Sequence, residues 1–284
     1  MSDTTPLLPL LYEDVVRRAL LEDLGRAGDL TTDAIVPLDL VGHAAVVARA
    51  AGRVAGLEPA LHAFRLLDPG CRVAVRRPDG SDVAAGEAIA RVTAAARTLL
   101  TAERTALNLL GHLSGIATAT RDVVARLDGL ATRVVCTRKT TPGLRALEKH
   151  AVRVGGGSSH RYGLDDAVLV KDNHVALAGG VAEAVRRVRG RVGHMVKVEV
   201  EVDTLAQLDE ALAAGVDAVL LDNMDLATLR EAVARARGRA VTEASGGIRP
   251  DTVRAVAETG VDVVSLGWLT HSAPSLDVAL DVEA

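Results

Sequence analysis

The sequence is short of several things, and each shortage removes a class of function. Cysteine occurs only at Cys71 and Cys136 in 284 residues, too few for a disulfide framework or a cysteine zinc site. A reduced, cytoplasmic setting is the expectation. Aromatic residues make up 1% of the chain, so the stacking platforms that grip single-stranded nucleic acid are missing. Positive charge is not in excess: the formal net charge is -4 at pH 7, which argues against a nucleic-acid partner. The longest uncharged run near the middle, 105–120, is interrupted by Asn108, Gly111, His112, Ser114 and Gly115, and no segment reads as a membrane span. The first residues, MSDTTPLLPLLYEDVVRRAL, have no basic stretch ahead of their leucines and read as a helix start, not as a signal peptide.

Lysine is scarce in a more informative way. Among 33 Lys+Arg there are four lysines, Lys139, Lys149, Lys171 and Lys197. Lys171 closes the apolar run in LVKDNHVA, where an unpaired cation is expensive to bury. A purpose is therefore expected of it.

What the chain has in quantity is apolar residues, 49% against 25% charged, and a beat. From about Thr132 onward, short β-branched runs end in a polar residue and are followed by a helical stretch. The runs are TRVVCT, DAVLVK, MVKVEVEV, DAVLLD, RAVTEAS and VDVVSLG. Strand ends at Glu201, Asp222, Ser245 and Gly267 are 21, 23 and 22 residues apart, the length of one βα unit. Six such units argue for a parallel sheet in an incomplete, open α/β barrel, two units short of a full one. Residues before Thr118 do not keep the beat. EDLGRAGDLTTDAIVP is turn-rich, DGSDVAAGEAIARV resembles a hairpin, and RTLLTAERTALNLL opens a long helix running to about Leu127. The expected organisation is a smaller N-terminal α+β domain over 1–115 and a barrel over 116–270. The tail 271–284 packs back on one of the two parts and is grouped with the first.

The working residues of such a barrel lie at the C-terminal ends of its strands. Arg138 and Lys139 end one strand, His160 and Arg161 follow GGGSSH, and Lys171 ends the next strand. Together they form a cationic pocket for a small polyanion, with arginine gripping carboxylates or phosphates in bidentate fashion. Arg145, Lys149 and Arg153, spaced by four, read as the solvated face of a helix. In KVEVEV the period of two puts Lys197, Glu199 and Glu201 on one face and the valines on the other. An internal Lys197–Glu199 pair and a direct substrate role are both open for those two residues. Glu201 and Asp222, on neighbouring strand ends, suit ribose hydroxyls or magnesium. In EASGGIRP, Ser245, Gly246 and Gly247 precede a helix start, and SLGWLTHS places Leu266, Gly267 and His271 one unit later. Paired glycine turns after the last strands suit a phosphate.

The run TRKTTPGLRALEKHAVRVGGGSSHRYGLDDAVLVKDNH resembles the signature of the quinolinate phosphoribosyltransferase family. The likeness continues through AERTALNLL, VEVEVDTLAQLDEALAAGVDAVLLDNM, EASGGI and GVDVVSLGWLTHS, covering nearly the whole chain. It implies an N-terminal α/β sandwich with an open, incomplete α/β barrel, and transfer of phosphoribosyl from phosphoribosyl pyrophosphate to the ring nitrogen of quinolinate, with magnesium. Carbon dioxide and pyrophosphate leave, giving nicotinate mononucleotide on the route to NAD. It further implies that Thr137, Arg138, His160, Arg161 and Lys171 bind quinolinate, with Arg104 reaching in from the other subunit of a homodimer. Lys139 meets the pyrophosphate side, Glu201 and Asp222 the ribose and magnesium, and Ser245, Gly246, Gly247, Leu266, Gly267 and His271 the 5-phosphate side. Lys139, Lys171, Glu201 and Asp222 are the residues it implies for catalysis. His150 and Trp268 depart from the family's usual residues. Rival readings are a nicotinate phosphoribosyltransferase, an aldolase-type barrel with Lys171 or Lys197 as Schiff base, and a non-catalytic sensor of pyridine carboxylates.

Overall fold

The beat that begins near Thr132 becomes six parallel strands in the computed structural model, which describes residues 5–283. Residues 1–4 and 284, the outer ends of the expected first domain and tail, lie outside the described residues. In chain order the strands are β1 (Val41–Ala48), β2 (Gly52–Arg53), β3 (Arg72–Val75), β4 (Asp82–Val83), β5 (Ala88–Ala95), β6 (Arg133–Val135), β7 (Val168–Val170), β8 (Val198–Val202), β9 (Ala218–Asp222), β10 (Val241–Ser245), β11 (Val263–Ser265) and β12 (Val278–Glu283).

The chain divides into two compact units, one of residues 1–121, 140–156 and 268–284, the other of 122–139 and 157–267. The first is built on an antiparallel sheet in the order β12-β1-β5-β3, with the helices Leu57–Leu67 and, from Ala96, the long helix that ends at Arg126. Leu61, Phe64, Ile89, Leu99, Leu110 and Leu113 are almost fully buried, each contributing roughly 1.5–3 kcal/mol by leaving water. The short helix Leu30–Ile35 starts where Asp29 Oδ1 accepts the Thr32 N–H at 3.0 Å, a side-chain cap on an orphan donor.

Two expectations change in this unit, the hairpin and the solvated helix face. DGSDVAAGEAIARV is not a hairpin: β4 pairs with β2, while β5 pairs with β1 and β3. The tail joins the sheet as β12, antiparallel to β1, and crosses the long helix where side chains are absent. A Cβ on Gly115 would stand 2.1 Å from Pro274 O, and Leu276 N donates to Gly111 O at 2.9 Å. Residues 140–156 cluster with this unit, and the helix Arg145–Val154 is not solvated. Lys149 is 1% exposed and Glu148 is fully buried. The reason is partners that a four-residue spacing does not reveal. Glu148 accepts from His112 Nε2 at 2.8 Å and from Thr141 N at 3.1 Å, and His150 Nε2 meets Asp79 Oδ2 at 2.9 Å.

In the second unit the sheet order is β6-β11-β10-β9-β8-β7, every neighbour parallel. Chain order is kept around the sheet, and the break falls between β6 and β7. Ser158 lies along β6: its N–H donates to Val134 O, and its carbonyl accepts from Cys136 N. One face of the strands is apolar, with Val198, Val200, Val202, Val219, Leu221 and Val264 at most 1% exposed. The helices between the strands, such as Leu205–Ala213 and Leu226–Ala236, cover that face, as right-handed parallel crossovers require. The other face carries Glu199, Glu201, Asp222, Glu243, Ser245 and Ser265, set by the period of two.

Candidate active site

The polar face gathers at the C-terminal ends of the strands. Glu201 is one residue from the end of β8, Asp222 ends β9, Ser245 ends β10 and Lys171 directly follows β7. Register places Asp222 beside Ser245, and Glu201 in the same row as Leu220 and Glu243. Of the expected residues, Thr137, Arg138, Lys139, His160, Arg161, Lys171, Glu201, Asp222, Ser245, Gly246, Gly247, Leu266 and Gly267 belong to this unit. Arg104 and His271 belong to the first. Arg104 is exposed on the long helix, and His271 Nδ1 lies 2.6 Å from Ser272 Oγ.

Lys171 Nζ donates to Glu201 Oε2. The backbone N–H of Lys171 donates to His174 Nδ1 at 2.9 Å, which starts the helix Asp172–Ala178 and turns the chain away from the strand end. Asp222 is held above the ordinary carboxyl range, first by burial and then by the charges of Glu201 and Asp203. Arg161 is drawn below its ordinary value, first by burial and then by the like charge of Arg138. The site thus pairs a crowded cationic corner with a crowded anionic one. Each is relieved by a ligand of opposite sign.

Behind the cations lies a cluster that sequence reasoning missed in part. His160 Nε2 stands 2.9 Å from Glu199 Oε2 and 3.5 Å from Glu243 Oε2. Its Nδ1 accepts the Arg161 N–H at 2.7 Å, so the ring proton sits on Nε2, toward the acids. Both ring nitrogens of His160 are therefore engaged by protein groups. Glu243 is 5% exposed, with Oε1 unpartnered. Burial and then the charge of Glu199 push its carboxyl up to about 7. The three ligand atoms lie within 4.8 Å of one another, a spacing that also suits a metal ion. The signal for Glu243 was present in RAVTEAS, two residues before Ser245 and so on the same strand face.

The open alternatives for Lys197 and Glu199 resolve separately. Lys197 precedes β8, at the opposite end of the sheet from the site, and pairs with Asp217 Oδ1 at 2.8 Å. Position along the strand, which the alternation does not convey, separates it from Glu199 and removes it as a Schiff-base lysine at the barrel mouth.

The phosphate-side loop has the backbone of a tight cradle. Gly246 and Gly247 have φ of +98° and +60°, in the left-handed region where glycine alone is unstrained. A Cβ on Gly246 would meet Asn223 Oδ1 at 2.1 Å, whereas the space at Gly247 is open.

A parallel βα barrel unit with an acid pair, a cation corner and a glycine cradle at its strand ends defines a barrel enzyme that handles a phosphorylated polyanion. The class narrows on comparison. Residues 116–281 match the C-terminal domain, and 29–114 the N-terminal domain, of quinolinate phosphoribosyl transferase, and the chain belongs to that family. The chain is 47% identical over 277 residues to the nicotinate-nucleotide pyrophosphorylase [carboxylating] of Mycobacterium leprae, covering 95% of this chain and 96% of that one. It is 44% identical over 273 residues to the probable enzyme of that name from Bacillus subtilis, covering 96% and 94%. The crystal structure of NadC from Streptococcus pyogenes superposes with a TM-score of 0.94 at 40% identity, over 99% of this chain and 100% of that one. Human nicotinic acid phosphoribosyltransferase, at 15% identity and a TM-score of 0.62, shares the fold.

Proposed function

We propose that this protein transfers the phosphoribosyl group of phosphoribosyl pyrophosphate to quinolinate with decarboxylation. The products are nicotinate mononucleotide, carbon dioxide and pyrophosphate, a step toward NAD. The observation that carries the reading is the division of the strand ends. Arg138, Arg161 and Lys171 form a cation-rich corner for a dicarboxylate, and it adjoins the Glu201–Asp222 pair and the Ser245–Gly247 cradle for a ribose 5-phosphate. A nicotinate phosphoribosyltransferase has no second carboxylate to neutralise and leaves this cation excess without a purpose.

In this reading the cations orient quinolinate so that its nitrogen faces C1 of the ribose, and the reaction proceeds by positioning and charge neutralisation. Thr137 Oγ1 accepts the Lys139 N–H at 3.0 Å, setting the backbone that carries Lys139 toward the pyrophosphate. His160 holds the Arg161 backbone from behind. Leu266 and Gly267, just past β11, complete the phosphate side. After transfer the bond from the ring to the carboxylate breaks, the electron pair stays on the ring carbon beside the cationic nitrogen and takes a proton from water, carbon dioxide leaves, and Lys171 with the arginines holds the carboxylate in place until it departs.

Magnesium fits the acid pair, because Asp222 is raised first by burial and then by the charges of Glu201 and Asp203, and a dication relieves that excess of negative charge. Glu201 and Asp222 would hold it, directly or through water, and the ion would neutralise the leaving pyrophosphate. A homodimer with shared sites is supported by Arg104, exposed on the long helix. Leu164 and Leu177, 72% and 85% exposed in the segments flanking β7, offer apolar surface to a second copy. A cytoplasmic setting is in keeping with two free cysteines. Among the described residues, no helix is long and apolar enough to cross a membrane.

The test is to supply phosphoribosyl pyrophosphate, magnesium and quinolinate labelled at the 2-carboxylate, with nicotinate in a parallel reaction. Labelled carbon dioxide with nicotinate mononucleotide, and nothing from nicotinate, is the expected result. Product from nicotinate alone would assign the rival activity.

A further inference from the structure

Asn223 follows Asp222 at the end of β9 and has φ of +52°, the one non-glycine in the left-handed region among the described residues. An exposed turn that needed only this backbone shape would be served by glycine, which adopts it without strain. Asparagine brings a side chain, and both ends of that side chain are used. Its Nδ2 donates to Asp222 Oδ2 at 2.7 Å. Its Oδ1 fills the space where a Cβ on Gly246 would sit, 2.1 Å from that position. The backbone N–H of Asn223 donates to Ser245 O at 3.0 Å, continuing the β9–β10 pairing one step past Asp222 and Ser245.

We propose that Asn223 is a positioning residue that ties the Asp222 carboxylate to the Ser245–Gly246–Gly247 loop and so sets the distance between the ribose and 5-phosphate anchors. This rests on the phosphoribosyl transfer proposed above and assigns that site a residue to which the family resemblance gave no role. One Asp222 oxygen is taken by the amide, which turns the other toward the ligand. The same side chain lies against Gly246, so neither strand end shifts without the other. A ribose 5-phosphate spans both ends, whereas quinolinate meets the cations of β6 and β7. Loss of Asn223 therefore weakens one substrate and spares the other.

The experiment compares Asn223→Gly and Asn223→Asp with the wild type in steady-state assays with magnesium, quinolinate and phosphoribosyl pyrophosphate. Calorimetry adds the binding of phosphoribosyl pyrophosphate and of quinolinate to each protein. Asn223→Gly keeps the backbone freedom and drops the amide. Asn223→Asp keeps the shape and replaces the donor with a negative charge beside Asp222. Both are expected to weaken phosphoribosyl pyrophosphate by about tenfold or more, the scale of a lost hydrogen bond to a charged group. Quinolinate affinity should stay within about twofold and the melting temperature near that of the wild type, as for an ordinary surface change. Wild-type phosphoribosyl pyrophosphate affinity in Asn223→Gly would reduce the residue to a turn former and overturn the proposal. An equal loss for both substrates with a lowered melting temperature would overturn it as well. A wild type that binds phosphoribosyl pyrophosphate but turns over no quinolinate would overturn the reaction assigned above, and the binding comparison would still decide the role of Asn223.

Discussion

Lys171 Nζ, just beyond β7, is hydrogen-bonded to Glu201 Oε2 near the end of β8. The bond crosses the boundary between the cations proposed to meet quinolinate and the acids proposed to meet ribose and magnesium. Each charge holds the other in a defined place before substrate arrives, as positioning by fixed charges requires.

Lys171→Ala is expected to lower kcat/KM by about a hundredfold or more, the usual effect of removing one preorganised charge from a transition state. Quinolinate affinity should fall with it. Near-normal binding and turnover by this variant would remove Lys171 from the reaction.

The buried acid Glu243 gives stability a pH dependence of definite sign. Its carboxyl, 4.5 in the unfolded chain and about 7 when folded, favours the folded state in its protonated form. That contribution is fully present below about pH 4.5 and is lost as pH rises to about 7. Glu243→Gln should flatten this part of the profile by on the order of 1–3 kcal/mol. Chemical denaturation across the range, with the wild type alongside, measures it, and an unchanged profile would contradict the assignment.

The two glycines of the cradle should differ on substitution. Gly246→Ala faces the left-handed backbone and Asn223 Oδ1 together, while Gly247→Ala faces only the backbone, at about 1–2 kcal/mol. The first variant should lose more melting temperature and more affinity for phosphoribosyl pyrophosphate. Equal losses would mean that the Asn223 contact yields without consequence.

Gly115→Ala tests the docking of the tail. The added methyl would sit 2.1 Å from Pro274 O, so the tail or the helix must move, at about 1–3 kcal/mol for overpacking. A lowered melting temperature is expected. An unchanged one would show that the tail shifts freely.

The proposed sharing of active sites between two copies makes a prediction about mixtures. Arg104→Ala and Lys171→Ala, each strongly impaired alone, should regain activity when unfolded together and refolded, because some mixed dimers carry one site with both residues intact. Two variants that stay impaired in the mixture, with dimers confirmed by light scattering, would place both residues on one copy's site.

Much of the site was legible because strand alternation is local geometry. KVEVEV divides into an apolar and a charged face whatever surrounds it, and the spacing of Glu201, Asp222, Ser245 and Gly267 marks successive strand ends by counting alone. The βα beat itself determined the parallel, open barrel. Pairing was beyond such counting. Lys197 finds Asp217 and Glu199 finds His160 because strands and a loop distant in sequence bring those charges together. The helix Arg145–Val154 has the four-residue spacing of a solvated face, yet Glu148 and His150 are buried because His112 and Asp79 stand opposite them. The bond of Asn223 to Asp222 is local, but its packing on Gly246 exists only where β9 and β10 lie side by side. The sequence by itself determined the elements, their faces and the residues at the strand ends, since these follow from backbone period. Only the tertiary structure decided which charges are neutralised, and by what, since that depends on distances between residues far apart in the chain.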